Sequence, residues 1–135
     1  MGHIRDYLDE LDSAGSRLSE QHMCNRFADR ILCGLLGYRQ EDIIINPNAG
    51  DDEGTEGTPD ICIMARQGDE VFPWIVAEAK LDDEVIRNDE QREHLWADKR
   101  KYVNASIVHF LWTAKKTVLV CQPDGTLEFG VYLED

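Results

Sequence analysis

"TPDICIMARQGDEVFPWIVAEAK", residues 58–80, holds two apolar runs joined by "RQGDE", with Asp60, Glu78 and Lys80 at the outer ends of those runs. The Gly-Asp pair and the short connection read as a β-hairpin. Both faces of each run are mostly apolar, as in central strands covered on two sides. Folding about Gly68 and Asp69 sets Asp60 opposite Glu78, Cys62 opposite Val76 and Met64 opposite Trp74. Strand side chains alternate, so Lys80 shares the face of Glu78 while Ala79 turns to the other side.

Directly opposed residues in such a pair have Cβ atoms about 4.5–5.5 Å apart, close enough for two carboxylates to grip one divalent cation. Without a cation they repel. The Ala79 carbonyl at the strand end adds a further oxygen. Hard oxygen donors suit magnesium or manganese, whereas zinc would favour Cys and His. A cation held there polarises a phosphate oxygen and acidifies a bound water, and Lys80 can orient that water or neutralise developing charge. Phosphodiester hydrolysis is the reaction this chemistry fits. Taken singly the residues are ordinary: an Asp after Pro is often a turn residue, and Glu-x-Lys on a strand is often a solvated ion pair. Their meeting on facing strands at the end of buried runs is what points to a site.

Upstream, "DSAGSRLSEQHMCNRFADRILCGLLGY" carries Leu18, Met23, Phe27, Ile31 and Leu35 at three- and four-residue spacing, which predicts a helix capped by Ser16 or Ser19 and ending near Gly37. "EDIIIN" follows as a short strand, then "PNAGDDEGTEGT" as an acidic, glycine-rich loop. Downstream, "NDEQREHLWADKRKYV" reads as a helix with Leu95, Trp96, Tyr102 and Val103 toward the core, and "SIVHFLWT" as a buried strand. "KTVLVCQ", a PDGT turn and "LEFGVYLE" form a closing hairpin. The order predicts a mixed sheet with helices packed against it.

At 135 residues the chain fits one core and not two. Its 42% hydrophobic and 30% charged residues are those of a globular protein. No apolar run reaches the roughly 18 residues of a membrane span. "MGHIRDYLDELDS" lacks the basic start and apolar core of a secretory signal, so a cytoplasmic protein is expected. Cys24, Cys33, Cys62 and Cys121 show no CxxC pairing and read as reduced thiols. The net charge of -13, from 27 acids against 14 bases, opposes binding to a polyanion at range.

Pro59-Asp60 followed by Glu78-Ala79-Lys80, in this order of elements, resembles the PD-(D/E)xK nuclease superfamily, the fold of many restriction endonucleases. The resemblance implies a restriction-endonuclease-like mixed central sheet flanked by helices, an α/β/α sandwich. It implies magnesium-dependent cleavage of double-stranded DNA, with manganese as a substitute. Asp60, Glu78 and the Ala79 carbonyl would ligate the metal, and Lys80 would be the catalytic amine. Many members add an acid from the first helix. Glu20 is the first candidate and Asp29 the second; alternatively Glu20 is a first-turn residue interacting with the helix dipole.

"SEQHMCNRFADRILCGLLGY" and the loop leading to "GTPDI" further resemble N-terminal nuclease domains of large restriction-modification enzymes. Residues 1–135 would then be a single nuclease domain of a larger multidomain protein, whose helicase-like or methyltransferase modules supply DNA affinity despite the acidic charge. Gln91 matches a polar position near the site in some relatives. Lys99, Arg100 and Lys101 either meet phosphates or form a solvated helix face. Asp51, Asp52, Glu53 and Glu56 would add a ligand, repel DNA, or simply be solvated. His22, His94 and His109 lack metal-ligand spacing, and His109 and the three tryptophans read as core. Double-strand cleavage would call for two active sites, hence dimerisation. Two alternatives stay open: a non-catalytic acidic DNA mimic, and a repair or junction nuclease of the same fold.

Overall fold

The computed structural model describes residues 2–46 and 58–133. The loop acids Asp51, Asp52, Glu53 and Glu56 lie outside the described residues. Six strands form one sheet in the order β1 (Ile43–Ile45), β2 (Ile61–Gln67), β3 (Glu70–Ala79), β4 (His109–Thr113), β5 (Thr117–Cys121) and β6 (Leu127–Tyr132). All neighbours are antiparallel except β3 and β4, which run parallel. A parallel pair needs a crossover, and α3 (Asp83–Arg87) and α4 (Asp89–Lys99) supply it. The C-terminal ends of β3 and β4 therefore meet at one edge of the sheet.

Alternation along β3 assigns its residues to two cores, one on each face. Ile75, Ala77 and Ala79, with Ile61 and Ile63 of β2, pack under Tyr7, Met23, Phe27, Ile31 and Leu32. Val76 joins Ile86, Phe110, Trp112 and Leu119, with Leu95, Trp96 and Val103 packed against them. The molecule is thus an α/β sandwich with a mixed sheet between helical layers. On the second face Trp96, Phe110 and Trp112 form an edge-to-face ladder with centroids 4.9 and 5.0 Å apart.

The hairpin turns where expected, with Gly68 at φ 62°, a left-handed conformation that glycine adopts without strain. Its register agrees with the sequence reading at Cys62↔Val76 but not beyond: Met64 pairs with Pro73, not Trp74, because the register shifts between Ile63 and Met64. Pro73 has no N–H to give the ladder, and such residues sit at bulges.

Two helical features depart from expectation. α1 (His3–Ala14) is an additional element whose Ile4, Tyr7, Leu8 and Leu11 fall at i, i+3, i+4 and i+7 and join the first core. The expected helix starts at one of its two candidate caps, Ser19, which accepts a hydrogen bond from the His22 amide and caps α2 (Glu20–Arg26), but it continues as a π-helix over Phe27–Leu35. Buried pairs recur every four residues, at Met23/Cys24, Phe27/Ala28 and Ile31/Leu32. These pairs form the stripe that packs on the sheet.

Candidate metal centre at the ends of β2 and β3

Asp60 immediately precedes β2, and its carbonyl accepts the amide of buried Asn46 at 2.8 Å, tying it to the end of β1. Its carboxylate accepts the Ala79 amide at 2.9 Å. Opposite stands Glu78. Both acids are deep in the protein, Asp60 at 6% and Glu78 at 2% exposure. One Glu78 oxygen, Oε1, has no hydrogen-bond partner among the described residues. Burial, then a hydrogen bond that the protonated group gives to Asp60 and the charge of Asp60, push the Glu78 carboxyl up to about 9, against the opposing pull of Lys99 and Lys80. Two acids sharing one buried space raise proton affinity in this way.

The sheet register explains the convergence. Glu78 lies opposite Trp112 and Ala79 opposite Thr113 in the parallel pair, and the Lys80 amide extends that pairing to the Thr113 carbonyl at 2.9 Å. The Ala79 side chain joins the first core while Lys80, half-buried, keeps the parity of Glu78.

The other expected site residues fall in three places. Glu20 opens α2 and is half-buried. Its charge bears on Cys24, a thiol raised first by burial and then by Asp60, Glu20 and Glu78 together, so Glu20 lies on the site's side of the molecule. It does not complete a ligand set: among the described residues no three His, Cys, Asp or Glu side chains converge as a metal-holding group. Asp29 is exposed and paired with Arg26 at 2.5 Å. Gln91 is exposed in the first turn of α4, where its amide is held by the Asn88 cap. Eight residues separate it from Lys99, about 12 Å of helix, so it stands at the far end of α4 from the carboxylates.

The basic run divides. Lys99 is not on a solvated face: it is 7% exposed, and its ammonium lowers the Glu78 carboxyl more than Lys80 does. Arg100 and Lys101 are exposed on the 3-10 turn Arg100–Tyr102, Lys101 lying 3.7 Å from Asp98. Tyr102, half-buried, feels Glu78, Lys99 and Asp60, and burial raises its phenol first of all. Tyr7 is a further arrival unannounced by the sequence: fully buried on α1, its hydroxyl has no well-formed hydrogen bond, and Thr113 is its polar neighbour. His109 is not core; it is part-exposed, with Nε2 3.7 Å from Glu128. Trp112 is buried, whereas Trp74 and Trp96 are half-buried. The four cysteines are free thiols.

Among the described residues the donor set is one of oxygens, from fewer than the three side chains of a complete metal-holding group. It offers two buried carboxylates, one with an orphaned oxygen, and hard oxygen donors of this kind suit magnesium or manganese. No protein-family model matches the chain, and no curated protein or solved structure matches it. No helix among the described residues is long and apolar enough to cross a membrane.

Proposed function

We propose that the chain is a magnesium-dependent DNA endonuclease domain of the PD-(D/E)xK kind, working within a restriction-modification system. The observation that carries this reading is the Glu78 carboxylate, 2% exposed beside Asp60 with Oε1 unpartnered. An unpaired buried carboxylate is costly, and groups held at that cost cluster at functional sites. Asp60, Glu78 and the Ala79 carbonyl would hold Mg2+, or Mn2+ in its place. When bound, the ion polarises a phosphate oxygen and acidifies water.

The chain's own residues do the rest. The Ala79 amide fixes the Asp60 carboxylate. Lys80 presents its ammonium beside the carboxylates, placed to orient the attacking water and to neutralise charge that grows on the phosphate oxygens. Lys99 acts from beneath, offsetting the charge of Glu78. Helicase-like or methyltransferase modules in the same protein, and pairing of two such domains for double-strand cleavage, complete the proposal.

Incubation with plasmid and magnesium, beside an Asp60→Ala control, is the direct test. Nicking or linearisation by the wild type alone is expected, and equal cutting by both removes the assignment. Calorimetry with manganese provides the second reading: binding to wild type and none to Asp60→Ala. The alternative of an acidic DNA mimic draws on the net charge of -13. It predicts no response to Lys80→Ala and no role for converged acids.

A further inference from the structure

With 27 acids for 14 bases, a basic side chain in this protein rarely lacks a partner. Arg26, Arg30, Arg39, Arg66, Arg87 and Arg92 each pair with an acid. Among the described residues, the cations without an acid at ion-pair distance are Arg17, Lys80, Arg100, Lys115 and Lys116. Four of these five gather at the edge where β3 and β4 end. Lys80 follows β3; Lys115 and Lys116 form the β4–β5 turn; Arg100 follows Lys99, whose ammonium bears on Glu78.

We propose that the β4–β5 turn, through Lys115 and Lys116, forms with Lys80 and Arg100 a rim that binds the phosphodiester backbone of DNA beside the Asp60–Glu78 site. The proposal rests on the nuclease reading and names the surface by which that site holds its substrate. The turn is built to present charge. Its backbone is tied on every side: Ala114 N–H to the Thr117 carbonyl at 2.9 Å, Lys116 N–H to Asp83 Oδ1 at 2.9 Å, and Leu133 N–H to the Lys116 carbonyl at 2.8 Å. The Lys80 amide bond to Thr113 fixes the turn's distance from the site. Both lysine side chains are exposed.

The acids that follow Lys80 in sequence each have a partner other than a lysine side chain of the turn. Asp83 accepts the Lys116 amide, Asp82 caps α3 through the Glu84 amide, and Glu84 lies 3.6 Å from Arg87. Neighbouring strands are about 5 Å apart, and a DNA strand carries a charge about every 3.4 Å of axis. The rim thus spans one to a few phosphates around a scissile bond held at Glu78. Cations gathered at the cutting edge also answer the charge objection, since at short range a phosphate meets the unpaired lysines and at long range the net charge is screened by salt.

The test is equilibrium binding of a labelled duplex of about 20 base pairs in EDTA, from about 50 to 200 mM salt, with wild type, Lys115→Ala/Lys116→Ala and Arg17→Ala. Each lost phosphate contact removes about 0.9 from the slope of log affinity against log salt. The double variant is expected to bind more weakly with a slope shallower by about 1–2, and Arg17→Ala to match wild type. In cleavage the double variant raises KM and leaves kcat in place. An unchanged slope in the double variant, an equal effect of Arg17→Ala, or no duplex binding by wild type at the lowest salt overturns the rim. A manganese titration separates the two readings: wild type and double variant binding the ion alike keeps the metal centre whatever becomes of the rim. No ion bound by either, with the slope change intact, removes the nuclease assignment and leaves the DNA surface standing.

Discussion

Glu10 and Glu78 are the same acid in opposite circumstances. On the outer helical layer Glu10 accepts Arg30 Nε at 2.9 Å and Arg26 Nη1 at 3.2 Å, while Arg26 also reaches Asp29. Burial alone would raise its carboxyl, but the hydrogen bonds from Arg30 and Arg26 and their charges outweigh it and lower the carboxyl. At the end of β3, Glu78 is more deeply buried, faces another acid in place of a guanidinium, and is raised. A satisfied cluster stabilises a fold; a frustrated one waits for a ligand. The contrast is between a carboxylate whose charge its partners satisfy and one whose charge they oppose.

The largest effect that sharpens this contrast concerns Lys80. Lys80→Ala should lower the cleavage rate by about 10²–10⁴-fold while manganese affinity is retained, measured by plasmid nicking and calorimetry. Arg26→Ala, from the satisfied cluster, should leave the rate unaltered. Equal losses in both would dissolve the distinction.

Next comes Glu78→Gln without metal. Near neutral pH the raised Glu78 carboxyl must take up a proton to stay buried, a cost that Gln does not carry, so the variant should be more stable by about 1–4 kcal/mol, read from urea unfolding. The pH dependence has a definite sign. A carboxyl raised in the folded state binds its proton more tightly there, so Glu78 favours folding most below its ordinary value of 4.5, and stability falls as pH climbs toward about 9. The wild type should show that decline, Glu78→Gln should lose it, and saturating manganese should offset it in the wild type alone. A flat wild-type profile breaks the comparison.

The smallest effect belongs to Glu10→Gln, a loss of about 0.2–1 kcal/mol for a partly exposed cluster. Its sign is reversed: Glu10 contributes above the ordinary carboxylate range, and that contribution disappears as pH falls through its lowered pKa. Variant and wild type should converge in acid.

What was legible in the sequence follows from how local each cause is. The hairpin and the meeting of Asp60 with Glu78 rest on alternation and one turn, both readable from residues 58–80. The Met64 pairing failed because Pro73 shifts the ladder, an effect that alternation alone does not carry. Lys99 was visible only as one member of a basic run; its inward turn depends on α4 packing against the sheet and closing in a 3-10 turn. α1 had a readable stripe at Ile4, Tyr7, Leu8 and Leu11, whereas the apolar spacing from Met23 to Leu32 told of a helix but not of its π winding. The gathering of unpaired lysines was hidden, since Lys80 and Lys115 are brought together only by the parallel pairing of β3 with β4.

The aromatic ladder on the second face has a practical consequence. Trp112 is the cross-strand neighbour of Glu78, and Phe110 connects it to Trp96. An indole so close to a carboxylate that loses or gains charge experiences a changed local electric field, so its emission wavelength is an intrinsic optical gauge of that carboxylate. A shift in that emission on adding manganese to the unmodified protein, absent in Trp112→Phe, is what the proposed metal site predicts.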